Sequence, residues 1–243
     1  MRRALAFGAL ALTAAGCAST PTPQGKSELV RRLVESTVQL WTERADGARR
    51  AASAVVVAAD PSTHRVWVAT ALHFLEPRTQ TQDIVARRTG KQTTVPASIA
   101  HVDTGADLAI LEIAGLDVVP VKLKPSSALG DAILLIAFPW GKRFTVVGGM
   151  VSQIVPSDTL RIEGPARMTD ATVTHGSSGG GVFDAHSGEL IGIVESYRTA
   201  RIGVPGRAER PLEIPVAGET TLIPAAAINA LLATSGLEEF VPQ

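Results

Sequence analysis

A serine in a glycine-rich segment is the first group of this chain that is suited to nucleophilic chemistry. Residues 175–181 read His-Gly-Ser-Ser-Gly-Gly-Gly. A serine hydroxyl attacks a carbonyl efficiently only when a base removes its proton, and the oxyanion that forms needs converging N–H donors. Glycines let the backbone turn sharply and aim such donors at one point. We predict that Gly176 and Ser178 provide two of these N–H groups; the alternative interpretation is an ordinary Gly/Ser-rich turn.

A histidine and an aspartate at predicted strand ends could supply the base and the acid that such a serine requires. His73 follows the apolar run Val68–Leu72, and Asp107 precedes the apolar run Leu108–Ile113. Taken singly, the histidine is more often structural and the aspartate is more often a turn residue. Together with the serine, they make up the nucleophile, base and orienting acid of acyl transfer.

The predicted secondary structure around these residues consists mostly of short strands. Short β-type runs separated by turn residues recur along the body of the chain, which is typical of a barrel or a sandwich. Six runs precede and six follow a Pro/Ser/Gly joint at residues 124–130. We therefore predict an all-β fold with two similar barrels over residues 27–124 and 125–222. Ser27 is predicted to cap a short helix that ends near Glu35, and a short C-terminal helix and tail occupy residues 223–243.

Composition argues against several classes of protein. Lys plus Arg and Asp plus Glu both number 23, and a formal net charge of zero is not that of a typical nucleic-acid-binding protein. The chain has one cysteine, so no intrachain disulfide can form. Its five histidines never lie at the spacing of a helical metal site, and there is no Cys/His array for zinc. We expect neither a metal nor another cofactor.

The N-terminus has the pattern of an export signal. A basic start, the short apolar run Ala4–Ala15 and a small-residue site predict a signal peptide over residues 1–16. Thr13–Cys17 resembles a bacterial lipobox, which implies lipidation of Cys17 and a polar tether over residues 17–26. The expected location is therefore the periplasmic side of the cell envelope, with membrane contact through the lipid anchor only. In a cell with two membranes, Ala18 after the cysteine favours the outer one. Ordinary secretion without a lipid anchor is the alternative.

Taken in order, several motifs of this chain resemble those of the trypsin-like serine peptidases, in particular the bacterial HtrA/Deg branch. The resemblance covers roughly residues 28–235, and its motifs are Val68–His73, Asp107–Leu111, Leu129–Asp131, Phe138–Gly141, Val147–Ser152, Thr169–Gly180, Leu190–Ile193 and Pro224–Ala233. It implies two six-stranded antiparallel barrels of the chymotrypsin type, with the site in the cleft between them. It also implies a serine endopeptidase that acts on polypeptide substrates.

The same resemblance implies a role for each candidate residue. Its register makes Ser178 the nucleophile, His73 the general base and acid, and Asp107 the group that orients His73. The N–H groups of Gly176 and Ser178 form the oxyanion hole.

The chain departs from the family pattern at several positions. Ser177 stands where zymogen-derived trypsins carry an aspartate that pairs with a new N-terminus, so we expect no activation of that kind. Ala52-Ser53-Ala54 replaces the family's Gly-Ser-Gly turn, Leu72 replaces the alanine before the histidine, and Ala137 replaces an asparagine. The few residues after the C-terminal helix leave no room for the PDZ domain that HtrA-type proteins usually carry, and the oligomeric state stays open.

The resemblance to the trypsin-like peptidases also implies which residues form the specificity pocket. It places Thr172 at the floor of the specificity pocket and Ser196 and Tyr197 along its edge. No aspartate lies at the floor, so we expect a small or medium uncharged side chain rather than Lys or Arg before the scissile bond. An arginine-rich loop follows, which could attract acidic substrates or simply be solvated: Arg198, Arg201, Arg207 and Arg210.

Two other functions are compatible with parts of this sequence pattern. Residues 176–180 also fit the Gly-x-Ser-x-Gly elbow of α/β-hydrolases, but that fold orders its triad Ser, acid, His, and the only later histidine is His186. The stronger alternative is a non-catalytic binding module that retains the peptidase fold.

Overall fold

The computed structural model describes residues 25–43, 47–77, 83–156, 161–203 and 212–242. The predicted signal peptide, Cys17, Arg207 and Arg210 lie outside these ranges. The strands are β1 Thr37–Glu43, β2 Arg49–Asp60, β3 Arg65–Ala71, β4 Ile84–Arg88, β5 Val95–Asp103, β6 Leu108–Ala114, β7 Ser127–Ala128, β8 Ala132–Ala137, β9 Thr145–Ile154, β10 Glu163–Gly164, β11 Ala166–Thr169, β12 Gly181–Asp184, β13 Leu190–Ile202 and β14 Leu212–Pro224. The helices are α1 Lys26–Glu35 and α2 Ala225–Thr234, with 3₁₀ turns at Leu72–Leu75, Pro139–Gly141 and Glu238–Phe240.

Two closed antiparallel barrels of six strands each make up the body of the protein. The first has the strand order β1-β2-β3-β6-β5-β4, and the pairing of β4 with β1 closes it. The second has the order β11-β14-β13-β12-β8-β9, and the pairing of β9 with β11 closes it. The predicted all-β fold of two six-stranded antiparallel barrels with a short C-terminal helix is therefore confirmed. This architecture is incompatible with the parallel sheet of an α/β-hydrolase.

The central strands are apolar on both faces because they contribute to two cores. Alternate residues of a strand point to opposite faces. On β3, Val66 and Val68 face the interior of the first barrel, while Trp67 and Ala69 join a core shared by both barrels. The same alternation on β6 sends Leu111 inward and Ile110 to the shared core. The shared core is what holds the two barrels against each other.

Both helices pack on this shared core. Leu29 and Leu33 of α1 and Ile228 and Leu232 of α2 are buried there. Helix α1 begins two residues earlier than predicted: Gly25 occupies the N-cap, Ser27 lies inside the first turn, and no side chain caps the helix. The prediction that Ser27 caps α1 is therefore wrong, because burial of the apolar face sets the start of this helix more strongly than a local cap does.

The joint between the barrels carries an ion cluster. Nζ of Lys124 lies 2.6 Å from Oδ2 of Asp184 and 3.2 Å from Oδ2 of Asp131. The hydrogen bond to Asp184 is the main reason why the pKa of Lys124 is raised. Burial alone would raise the pKa of Asp184, but hydrogen bonds from Lys124 and from two backbone N–H groups lower it on balance. This cluster ties the joint to β12 of the second barrel.

Among the residues that the structure describes, no helix is both long and apolar enough to cross a membrane.

Candidate active site

His73 lies on the 3₁₀ turn that directly follows β3. Leu72, Phe74 and Leu75 are buried and anchor this turn in the first barrel. His73 is the exposed member of the turn, because the buried neighbours on either side leave it facing the cleft. The order of apolar and polar residues in Leu-His-Phe-Leu thus positions the imidazole.

Asp107 precedes β6 and approaches the same turn from the neighbouring strand. Its backbone has a φ of +53°, a left-handed conformation that aspartate tolerates better than most residues. The Asp107 carbonyl accepts a hydrogen bond from the Leu72 N–H at 2.7 Å. Its carboxylate accepts one from the His73 N–H at 2.8 Å and lies 2.6 Å from Nδ1 of the His73 ring. The carboxylate therefore fixes the position of His73 at two points.

Ser178 belongs to the second barrel, in the loop between β11 and β12. Its Oγ lies 3.0 Å from Nε2 of His73. Its carbonyl accepts a hydrogen bond from the N–H of Ser53 on β2, at 2.9 Å. The structure thus brings together the three residues that the sequence predicts, in the hydrogen-bonded order Asp107, His73, Ser178, across the cleft between the barrels.

In the Ser178 loop, the carbonyl groups of residues 174–178 all accept hydrogen bonds. Backbone N–H groups hold four of them: Ser177 bonds Thr174, Trp140 bonds His175, Gly180 bonds Ser177, and Ser53 bonds Ser178. The hydroxyl of Ser53 holds the remaining carbonyl, that of Gly176, at 3.0 Å. The C=O and N–H of a trans peptide point in opposite directions. These bonds therefore turn the N–H group of each of these peptides away from the partner that holds its carbonyl.

The N–H groups of Gly176 and Ser178 are the two predicted oxyanion donors. Within the described parts of the chain, neither of them donates a hydrogen bond. Gly176 has a φ of +87°, and a Cβ at this position would lie 2.7 Å from the N of Trp140. Only glycine fits this backbone without strain or displacement.

Ser177, which precedes Ser178, is buried, and its hydroxyl has no hydrogen-bond partner among the described residues. No ion pair of the kind found in activated zymogens forms at this position, because the side chain is uncharged.

An aromatic row that the sequence reasoning missed borders Ser178. The His175 ring lies edge-on to Trp140 at 5.2 Å and edge-on to Tyr197 at 5.8 Å between ring centroids. Trp140 is 63% exposed and has a φ of +56°, which is uncommon for a bulky residue. Its place in the Phe-Pro-Trp-Gly motif, which the sequence singles out, was the available signal.

Of the three predicted specificity residues, Tyr197 belongs to this row. Thr172 is exposed between two buried neighbours, and Ser196 is exposed with its Oγ 2.6 Å from Oγ1 of Thr221. Tyr197 is half-buried, and this burial, with a contribution from the Glu213 carboxylate, raises the pKa of its phenol. Tyr197 is therefore neutral at physiological pH. Their roles as pocket floor and pocket edge stay predictions.

The cleft beside the triad has a volume of about 750 Å³. Its lining includes His73, His175, Gly176 and Ser178, together with Arg50 and Glu76 on the first barrel. A cleft of this size is within the range of ligand-binding sites.

The arginines that follow Tyr197 are largely paired where the structure describes them. Arg198 pairs with Glu219 and Arg201 with Glu213, each at 3.0 Å and mostly exposed. This favours the interpretation of a solvated hairpin over that of a site for acidic substrates. In the described ranges, no group of three or more His, Cys, Asp or Glu side chains is arranged to hold a metal ion.

Comparison with known proteins gives sequence relatives among bacterial serine endoproteases. The chain is 32% identical over 129 residues to a probable periplasmic serine endoprotease, DegP-like, of Pseudomonas savastanoi pv. phaseolicola, covering 51% of this chain and 26% of that one. It is 27% identical over 186 residues to the serine endoprotease DegS of Salmonella typhimurium, covering 71% and 49%. The chain thus spans between about a quarter and a half of the length of these curated relatives.

A solved structure shows the same fold. The crystal structure of the serine endoprotease from Yersinia pestis has a TM-score of 0.64 and 20% sequence identity, and the match covers 88% of this chain and 67% of that one. The family model for the trypsin-like peptidase domain matches residues 52–193, which is more than half of the chain. The match includes the histidine, the aspartate and the serine that meet in the cleft, and this protein belongs to the family of trypsin-like peptidase domains.

Proposed function

We propose that this protein is a serine endopeptidase that hydrolyses peptide bonds through a Ser-His-Asp triad and an acyl-enzyme. The observation that carries the proposal is the unbroken line of hydrogen bonds from Asp107 through His73 to Ser178. Two further observations support it: the N–H groups of Gly176 and Ser178 have no acceptor among the described residues, and the chain belongs to the family of trypsin-like peptidase domains.

The proposed reaction begins when Nε2 of His73 removes the proton of the Ser178 hydroxyl as Oγ attacks the peptide carbonyl. The negative charge on the carbonyl oxygen is stabilised by the N–H groups of Gly176 and Ser178. The imidazolium then gives its proton to the leaving amine, and the C–N bond breaks. Asp107 holds His73 in the required tautomer and stabilises its charged form. Water, activated by His73, hydrolyses the acyl-enzyme and restores Ser178.

Active-site labelling tests this proposal directly. We expect a fluorophosphonate to form a stoichiometric adduct on Ser178 in the folded protein, located by mass spectrometry, and to form none in Ser178→Ala or His73→Ala. Ser177→Ala is the matched control, because it removes the neighbouring hydroxyl, which is buried and has no partner in the described structure. The same protein should cleave unfolded polypeptides. Absence of labelling on folded wild type would contradict the proposal and favour the binding module.

The proposed substrates are exported polypeptides in the cell envelope. The relatives named as periplasmic endoproteases support this location. We further propose that lipidation of Cys17 anchors the protein, with the outer membrane favoured where there are two. Incorporation of an alkyne fatty acid into wild type but not into Cys17→Ser, followed by membrane fractionation, tests the anchor. Release of unlipidated protein from both variants would support ordinary secretion instead.

The proposed preference before the scissile bond is a small or medium uncharged side chain. The half-buried Tyr197, together with Thr172 and Ser196, supports this proposal because none of them offers a negative charge to a basic side chain. A peptide library analysed by mass spectrometry should show depletion of Lys and Arg at that position.

A further inference from the structure

Ser53 is a fully buried polar residue at the point where the first barrel meets the Ser178 loop. It lies on β2 and is 0% exposed. It is the central residue of the Ala-Ser-Ala segment that replaces a Gly-Ser-Gly turn in the family pattern. A polar group in such a position is costly unless its hydrogen bonds are satisfied.

The Ser53 hydroxyl makes two hydrogen bonds across the barrel interface. It donates to the Gly176 carbonyl at 3.0 Å and accepts from the Phe138 N–H at 2.8 Å. Phe138 directly precedes the Pro139–Gly141 turn, whose Trp140 N–H holds the His175 carbonyl at 2.7 Å. The Ser53 hydroxyl therefore connects the Gly176–Ser177 peptide to the Phe138–Gly141 segment, and this segment also holds the preceding His175–Gly176 peptide.

The backbone of Ser53 adds two further bonds. Its N–H donates to the Ser178 carbonyl at 2.9 Å, and its carbonyl accepts from Oγ1 of the buried Thr70 at 2.8 Å. Thr70 lies on β3, the strand that leads to His73. A Cβ at Gly179 would clash with the Ser53 carbonyl, which explains why this part of the loop is glycine.

The carbonyl that the Ser53 hydroxyl holds belongs to the peptide between the two oxyanion donors. Gly176 has a φ of +87° and no side chain, so no side-chain contact of its own resists rotation of the Gly176–Ser177 peptide. The Ser177 N–H, at the other end of the same peptide, donates to the Thr174 carbonyl at 3.1 Å. Loss of the hydroxyl would leave the Gly176 carbonyl and the Phe138 N–H without this partner.

We propose that Ser53 is a positioning residue whose hydroxyl, supplied by the first barrel, holds the Gly176–Ser177 peptide so that the N–H groups of Gly176 and Ser178 converge on the developing oxyanion. The inference deepens the proposed peptidase function and rests on it. Ser53 does not touch the substrate; it acts through the geometry of the loop. The two barrels must be docked for the oxyanion hole to form, which makes their interface a condition of catalysis.

Ser53→Ala and Ser127→Ala form a matched pair. Ser127 is also buried, but its hydroxyl has no hydrogen-bond partner among the described residues, so its loss should be nearly neutral. For Ser53→Ala, we expect kcat on a peptide substrate to fall about 10- to 100-fold with KM changed less than about twofold, because deletion of a whole oxyanion donor costs about 10²–10³. All rates are expressed per folded molecule.

A transition-state analogue separates positioning from general stabilisation. Inhibition by a peptide boronate, whose tetrahedral adduct uses the oxyanion hole, should weaken in Ser53→Ala by about the same factor as kcat/KM. A purely structural Ser53 would lower only the melting temperature, and unchanged kcat and boronate affinity in folded Ser53→Ala would overturn the inference.

If Ser53→Ala does not fold, the variants Ser53→Thr and Ser53→Val test whether the Ser53 hydroxyl is needed for activity. Both add the same bulk, but only threonine keeps the hydroxyl, so threonine should retain about tenfold more activity per folded molecule. Equal activities would contradict the inference. Fluorophosphonate labelling of wild type separates this inference from the proposed function. A folded wild type that is not labelled contradicts both. A wild type that is labelled, but whose kcat and boronate affinity equal those of Ser53→Ala, contradicts only the inference.

Discussion

Asp107 accepts hydrogen bonds from both the ring and the backbone of His73. Oδ2 lies 2.6 Å from Nδ1, and Oδ1 lies 2.8 Å from the backbone nitrogen. One carboxylate therefore sets both the orientation of the imidazole and the turn that carries it. An amide in the same place can accept only through its single oxygen.

Asp107→Asn should reduce kcat about 10⁴-fold at neutral pH, because the amide favours the wrong tautomer of His73. The reduction should be measured on a peptide substrate with the folded fraction determined in parallel. Asp103→Asn is the control: Asp103 caps the same loop by accepting from the Gly105 and Ala106 N–H groups but does not contact His73. Equal activity of the two variants would contradict the assigned role of Asp107.

Gly176→Ala should reduce turnover about 10²–10³-fold, as expected for the loss of one oxyanion donor. The added Cβ would lie 2.7 Å from the Trp140 nitrogen and 2.9 Å from the Phe138 carbonyl oxygen, so the backbone must shift. Gly236→Ala is a matched control, because Gly236 also has a positive φ, of +71°, but nothing lies within 4 Å of a Cβ there. The control should lose about 1 kcal/mol of stability and keep its activity per folded molecule; parallel losses of activity would contradict the assignment.

Lys124→Met should lower the free energy of unfolding at pH 7 by about 1–3 kcal/mol, because it leaves the buried end of Asp184 without its cation. Urea denaturation measures the change. The exposed Lys122 provides the control, and Lys122→Met should change stability by less than about 0.5 kcal/mol.

The pH dependence of the Lys124–Asp184 ion pair follows from the pKa shifts of its two members. The pKa of Asp184 is lowered from 3.8, so its stabilisation is complete above that pH and is lost as the pH falls further. The pKa of Lys124 is raised from 10.5, so its contribution is complete below that pH and is lost at higher pH. The stability gap between wild type and Lys124→Met should therefore be constant from about pH 5 to pH 9 and shrink on either side. A gap that grows toward acid would contradict this account.

Tyr197→Ala should widen specificity toward large apolar side chains before the scissile bond. Removal of the half-buried ring opens space beside His175, and a single methylene group in an apolar pocket is worth about 10–200-fold in discrimination. The kcat/KM ratio for matched Phe and Ala peptides measures the effect, and we expect it to rise at least about tenfold. Tyr197→Phe keeps the ring and should leave the ratio unchanged. If the alanine variant keeps the wild-type ratio, Tyr197 does not line the pocket.

The two barrels were predictable from the sequence because their signal is local. Strands separated by turn residues recur on both sides of the joint, and the central strands are apolar throughout. Strand ends were less predictable: β13 and β14 extend beyond their apolar runs because their cross-strand pairing continues into a polar hairpin. The start of α1 was misplaced for a related reason, since packing against the shared core overrides a serine that resembles a cap.

The amino-acid sequence indicates the chemical types available: two adjacent serines among glycines, a histidine after a strand and an aspartate before a strand, in the order of a known family. Three contacts become evident in the three-dimensional structure alone: Asp107 contacts both the ring and the backbone of His73, Trp140, His175 and Tyr197 form a row, and Ser53 reaches from the first barrel to the Gly176 carbonyl of the second. These contacts join residues far apart in the chain, and no local pattern specifies them. Closure of each barrel brings together the first two sets, and the apolar core shared by the two barrels brings Ser53 to Gly176.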